Sequence, residues 1–160
     1  MIEIVRAHYG DPAHAAALID LMDHYMRDPA GGGEPLSDYA RVNLLDALAA
    51  RPFIFSVLAF DGDTPVGLIN AIEGFSTFTC RPLVNVHDVV VASSHRGRGI
   101  AALLFAEVEA IARERDACKL TLEVLDGNTS ARALYQRLGF MAYQLDPAMG
   151  HAQFLHKWLD

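Results

Sequence analysis

Apolar positions along the chain switch between two periods, and the switches divide it into alternating elements. Ile2, Ile4 and Ala7 belong to a short opening strand, IEIVRAH. Asp11-Pro12 then starts a helix, because proline suits the first helical position, where its missing N–H is not needed. Leu18, Leu21, Met22, Tyr25 and Met26 follow at helical spacing and make one apolar face. GGGEP at 31–35 breaks the pattern, and Ser37 or Asp38 caps a second helix running to about residue 50. The run 52–60, PFIFSVLAF, predicts a buried strand, and Asp61-Gly62 turns it into a longer one, 65–78. VNVHDVVVA (84–92), rich in β-branched residues, predicts the next strand. Ile100, Leu103, Leu104, Val108 and Ile111 form the stripe of a third helix. A strand over 119–125 and a short helix over 128–138, stopped by Gly139, come next. The segments 140–145 and 153–159 predict two closing strands. The expectation is one α/β domain over 1–160, with a mixed sheet of about seven strands and about four helices.

Composition narrows the function. The 160 residues are 52% hydrophobic, which excludes intrinsic disorder, and a chain this long buries a core without disulfides or a structural metal. The net charge of −7 argues against a nucleic-acid-coating protein, which needs a basic surface. No apolar run reaches the ~20 residues of a membrane span. The opening MIEIVRAHYGDP has no basic region followed by a long apolar stretch, so no signal peptide is expected. Cys80 and Cys118 lack metal-ligand or redox spacing, so two buried thiols in a reducing cytoplasm, and no metal, are expected. Charge is uneven: residues 1–83 hold 11 acids and 5 bases, residues 84–160 hold 9 acids and 8 bases.

The chemistry sits in VVVASSHRGRGIAALL, where a strand runs through a glycine turn into a helix. The first N–H groups of such a helix have no intrahelical partner and, with the helix dipole, form an anion site. Gly97 and Gly99 let the backbone approach an anion, and Arg96 and Arg98 add charge at the rim. A Walker loop is excluded because no Lys-Ser/Thr follows. A dinucleotide fingerprint matches as Gly97-Arg98-Gly99-Ile100-Ala101-Ala102, yet more than half the chain precedes it and no acid stands at the tip of the next strand. A nicotinamide-dependent oxidoreductase is therefore set aside.

Arg96-Gly97-Arg98-Gly99-Ile100-Ala101 resembles the Arg/Gln-x-x-Gly-x-Gly/Ala pattern of the GNAT superfamily of N-acetyltransferases. A second stretch, running from Asn128 through Ala131, Leu134 and Tyr135 to Gly139-Phe140, resembles the family's N-x-x-A-x-x-L-Y-x-x-x-G-F signature. The two stand in the family's order, and the likeness is close over 84–145. It implies the GNAT fold and transfer of an acetyl group from acetyl-CoA to a primary amine, by direct attack in a ternary complex.

The resemblance also implies roles. Arg96, Gly97, Arg98, Gly99, Ile100 and Ala101 would hold the pyrophosphate. Backbone groups of Val89 and Val91 would bind the pantetheine arm, with Asn128 adding a hydrogen bond. Tyr135 would protonate the departing thiolate; since a phenol titrates near ~10 and a thiol near ~8.5, close placement must carry that role. The acceptor amine must lose a proton, and His87 has the intrinsic range for a base near neutrality. Relatives that read Glu-Asp correspond here to His87-Asp88, so the base stays open between His87, Glu73 on the preceding strand, and water. Strict alternation sets His87 beside Asn85 and Val89, and Asp88 on the other face. The acceptor site is walled in this family by the first two helices, here carrying Asp23, His24, Tyr25, Asp28, Glu34, Asp38 and Tyr39. Their acidity would attract a cationic amine, or else only keeps the protein soluble; with no long acidic groove evident in the sequence, a small-molecule acceptor is expected. A protein N-terminus or lysine as acceptor, and a non-catalytic acyl-CoA sensor on the same fold, remain alternatives. Family members are often dimers, so a homodimer is open, with the C-terminal strand one place where pairing could occur.

Overall fold

A computed structural model describes residues 1–159. The chain divides into two compact units, Met1–Leu122 and the part from Glu123 onward. In the first, five strands hydrogen-bond in sequence order: β1 (Ile2–Arg6), β2 (Ile54–Asp61), β3 (Thr64–Ser76), β4 (Arg81–Val91) and β5 (Leu120–Leu122). The first four run antiparallel, and β5 joins β4 in parallel. A parallel neighbour needs a crossover, supplied by helix α3 (Ile100–Glu114).

Helices α1 (Pro12–Arg27) and α2 (Asp38–Ala49) precede β2 and start as the sequence predicts. Asp11 accepts from the Ala13 and His14 N–H groups, and Ser37 accepts from that of Ala40. Ala17, Leu18 and Leu21 of α1 and Leu48 of α2 join Leu58, Leu68 and Val90 in one core cluster. The opposite sheet face receives α3, whose Ile100, Leu104 and Val108 are fully buried. Gly67 marks the close approach there: a Cβ at that position would lie 3.0 Å from Leu104 Cδ1 and 3.2 Å from Ile100 Cγ2. The α3 N-terminus is thereby held against the end of β4.

The second unit holds α4 (Thr129–Arg137), capped by Asn128 Oδ1 on the Ala131 N–H, and a short turn at Pro147–Met149. The α/β class with a mixed sheet and four α-helices agrees with expectation, but the described residues contain five strands rather than seven. β5 is three residues long, and neither 140–145 nor 153–159 is a strand. Phe154, Leu155 and Trp158 of the last segment are exposed. Their apolar pattern meets strand propensity, but a strand exists only where a neighbouring chain segment completes its ladder.

Candidate functional site

The end of β4 and the start of α3 form an anion cradle. Gly97 and Gly99 both lie in the left-handed region, with φ of 76° and 78°, and a Cβ on either would meet nothing within 4 Å. Gly99 is the N-cap of α3, and no side chain caps that helix, whereas α1 and α2 are each closed by a side-chain oxygen. The orphan donors at Ile100 and Ala101 are thus left for an external acceptor.

Both rim arginines are engaged. Arg96 Nη2 pairs with Asp28 Oδ2 at 2.9 Å, and its Nε donates to the Val91 carbonyl at 3.2 Å. Arg98 Nη2 pairs with Asp61 Oδ2 at 3.3 Å, and Asp61 Oδ1 also accepts from the terminal amine at 3.1 Å. The Ala30 N–H, then Arg96, holds the Asp28 carboxyl below its ordinary range. The terminal amine does the same, more strongly than Arg98, for Asp61. Exposed pairs of this kind are worth about 0–1 kcal/mol, weak enough for a phosphate to take either guanidinium over.

Along β4, parallel pairing with β5 covers only Val84–Val86. From His87 to Val91 no strand among the described residues pairs with that side, so Val89 and Val91 border an unpaired strand edge beside the cradle. The opening coincides with a bulge. Asn70 pairs with Asp88 while Ala71 pairs with Val86, which leaves His87 as the extra, exposed residue. The bulge overturns strict alternation. Asn85 pairs with Ile72 on the α1/α2 face, but Val89 pairs with Ile69 on the α3 face, so His87 does not share one face with both. The extra residue also turns Asp88 and Val90 toward α1 and α2.

Glu73, the other expected base, is tied to Arg115 at 2.8 Å. Much of the acidic N-terminal half is likewise committed: Asp23 holds Arg27, Arg41 and the Leu36 N–H at 2.8, 2.6 and 2.9 Å. Cys80 is exposed and Cys118 partly so, contrary to the expectation of two buried thiols, because both lie near the β3–β4 hairpin end rather than in the core. In the second unit, Asn128 is the cap of α4 rather than a residue within it, and its Oδ1 serves the helix. Tyr135 lies on α4, its ring edge-on to Phe140 at 5.9 Å. Reading the sequence did not single out Tyr9, Ser56 and Asn70. The signal was available in two polar residues interrupting the apolar strands FIFSVLAF and GLINAI. Among the described residues no group of three or more His, Cys, Asp or Glu is placed to hold a metal, and no helix is long and apolar enough to cross a membrane.

The acetyltransferase (GNAT) family model matches residues 18–140. Streptothricin acetyltransferase of Streptomyces lavendulae is 41% identical over 66 residues, covering 41% of this chain and 35% of that protein. Thialysine N-epsilon-acetyltransferase of Caenorhabditis elegans is 27% identical over 88 residues, 55% of this chain and 54% of that protein. The matches thus span about a third to a half of these curated relatives. The crystal structure of ribosomal-protein-alanine N-acetyltransferase from Brucella melitensis biovar Abortus 2308 has a TM-score of 0.74 at 20% identity, covering 99% of this chain and 100% of that one, a likeness of fold. With the family match extending over most of its length, from within α1 to just beyond α4, the chain belongs to the GNAT family of acetyltransferases.

Proposed function

We propose that this protein is an acetyl-CoA-dependent N-acetyltransferase acting on a primary amine of a small molecule, by direct attack in a ternary complex. The observation that carries the reading is the uncapped start of α3 behind two left-handed glycines, beside an open strand edge. The residues fit the coenzyme. Gly97, Gly99, Ile100 and Ala101 would offer backbone donors to its pyrophosphate, Arg96 and Arg98 would exchange their carboxylate partners for phosphate oxygens, and Val89 and Val91 would border its amide-bearing arm. The coenzyme supplies the acetyl group as a thioester. An N–H on the open β4 edge would stabilise charge developing on the reacting carbonyl oxygen. His87, exposed on the bulge, is the proposed acceptor of the amine proton, directly or through water, and Tyr135 Oη the proposed donor to the leaving sulfur. Asn128 is a proposed coenzyme ligand by the family resemblance, through the Nδ2 that the helix cap does not use.

The net negative charge of the N-terminal half and the names of two relatives, a streptothricin and a thialysine acetyltransferase, support a small cationic acceptor. The test is an amine panel assayed by thiol release, with calorimetric titration of acetyl-CoA alongside. Amine-dependent thiol release is expected. Tight acetyl-CoA binding with no amine-dependent release would replace the enzyme with an acyl-CoA sensor, and stabilisation by NAD(P) alone would overturn the coenzyme assignment.

A further inference from the structure

A row of polar side chains crosses three adjacent strands and ends on one carboxylate. Ser56 of β2 pairs in register with Asn70 of β3, and Asn70 with Asp88 of β4. Ser56 and Asn70 are 2% and 5% exposed. Ser56 Oγ donates to Asn70 Oδ1 at 2.6 Å, and Tyr9 Oη lies 3.0 Å from Ser56 Oγ. A serine has one proton, and it is committed to Asn70, so Tyr9 donates to Ser56. Asn70 Nδ2 spends its two protons on Asp88 Oδ2 at 3.0 Å and Met22 Sδ at 3.3 Å. The opposite amide orientation would set Asn70 Oδ1 against the Asp88 carboxylate and leave the Ser56 proton facing an N–H donor. Every bond therefore points the same way, and the row ends on an anchored anion.

Among the described residues that carboxylate is in no ion pair. Arg27 and Arg41 belong to Asp23, Arg96 to Asp28, Arg98 to Asp61, and Arg115 to Glu73. Asp88 has no ion-pair partner among the described residues, and it is partly buried. Burial, and then the Asp88 and Asp28 carboxylates, push the half-buried Tyr25 phenol above its ordinary range. Both Met22, whose Sδ shares the Asn70 amide with Asp88, and Tyr25 come from α1.

We infer that Asp88, aimed by the Tyr9–Ser56–Asn70 row, is the recognition site for an ammonium group of the acceptor. The inference rests on the N-acetyltransferase reading and adds a substrate class to it. An amine held as an ammonium by a carboxylate has no lone pair with which to attack. The nitrogen bound at Asp88 is therefore a second one, and the acceptor is a diamine or polyamine. Asn70 and Ser56 are positioning residues that act through Asp88.

The test compares 1,4-diaminobutane with butylamine as acceptors for the wild type and the Asp88→Asn and Ser56→Ala variants. The wild type is expected to favour the diamine at least tenfold in kcat/KM. Asp88→Asn is expected to bring that ratio to within twofold, mainly by raising the diamine KM, with acetyl-CoA affinity unchanged by calorimetry. Ser56→Ala, which frees the Asn70 amide to turn, is expected to raise the diamine KM at least threefold with less change in kcat. A thermal melt checks that each variant is folded. Retention of the diamine preference in Asp88→Asn overturns the inference. So does a loss confined to kcat with a displaced pH profile, which would make Asp88 the general base. If the wild type acetylates no amine, the catalytic reading fails by itself, and titration with 1,4-diaminobutane still decides: binding lost in Asp88→Asn supports recognition at Asp88, and no binding by the wild type overturns it.

Discussion

Replacing Gly99 by aspartate separates coenzyme binding from stability. Gly99 stands at φ 78°, ψ 5° as the N-cap of α3, and a Cβ there meets nothing within 4 Å. The folded-state cost is therefore backbone strain alone, about 1–2 kcal/mol for an L-residue in the left-handed region, which aspartate tolerates better than most. Against this, α3 lacks a side-chain cap, and an aspartate oxygen on its first-turn N–H groups contributes about 0.5–2 kcal/mol. The two effects nearly cancel, so Tm is expected to stay within about 4 °C of wild type, given roughly 2–4 °C per kcal/mol in a chain of this size. The same carboxylate would occupy the donors assigned to the pyrophosphate. A hydrogen bond to a charged group is worth about 1.5–3 kcal/mol, so losing two costs roughly 100-fold or more in affinity. Calorimetric titration of acetyl-CoA into G99D, with thermal melts of both proteins, reads the two quantities separately. Gly99→Ala is the control: it carries the strain without the charge, so it is expected to lose stability while keeping most of its affinity. Affinity of G99D within threefold of wild type, in a folded protein, would refute the phosphate assignment.

Tyr135→Phe is expected to lower turnover more than acetyl-CoA affinity, and equal losses in steady-state kinetics and calorimetry would assign the tyrosine to packing. Leu104→Ala removes a fully buried side chain from the α3–sheet contact and is expected to cost about 2–5 kcal/mol in urea unfolding; a loss under about 1 kcal/mol would contradict that packing. Asp28 and Asp61 have folded-state values below the ordinary 3.8, so their contribution is present above that pH and is lost as pH falls through the lowered values. Urea midpoints are expected to drop on acidification below about pH 4, and Asp28→Asn to flatten that dependence; an unchanged profile in the variant would show that the Arg96 and Ala30 contacts contribute nothing.

Features set by neighbours in sequence were legible from the residues. Asp11, Ser37 and Asn128 mark helix starts because a cap needs only an oxygen within three residues of an N–H. Gly97 and Gly99 mark the cradle because its shape depends on their own φ, and Arg96 to Ala101 then follow as its rim and first turn. What depended on distant partners was not legible. Period-two alternation could not foresee that β4 carries an extra residue at His87, since a bulge is defined by pairing with Asn70 and Ala71 of another strand. That one residue turns Asp88 onto the α1/α2 face and into register with Asn70. The seven-strand expectation failed for the same reason: 140–145 and 153–159 have strand-like patterns, but hydrogen-bond ladders require a second segment. Charge behaved likewise. The sequence by itself determined an acidic N-terminal half and two arginines at a glycine turn, and only the tertiary structure decided which acids were spent. Ion pairs form between residues as far apart as Asp28 and Arg96, and the lack of one at Asp88 among the described residues is what turns a diffuse negative charge into a single directed carboxylate.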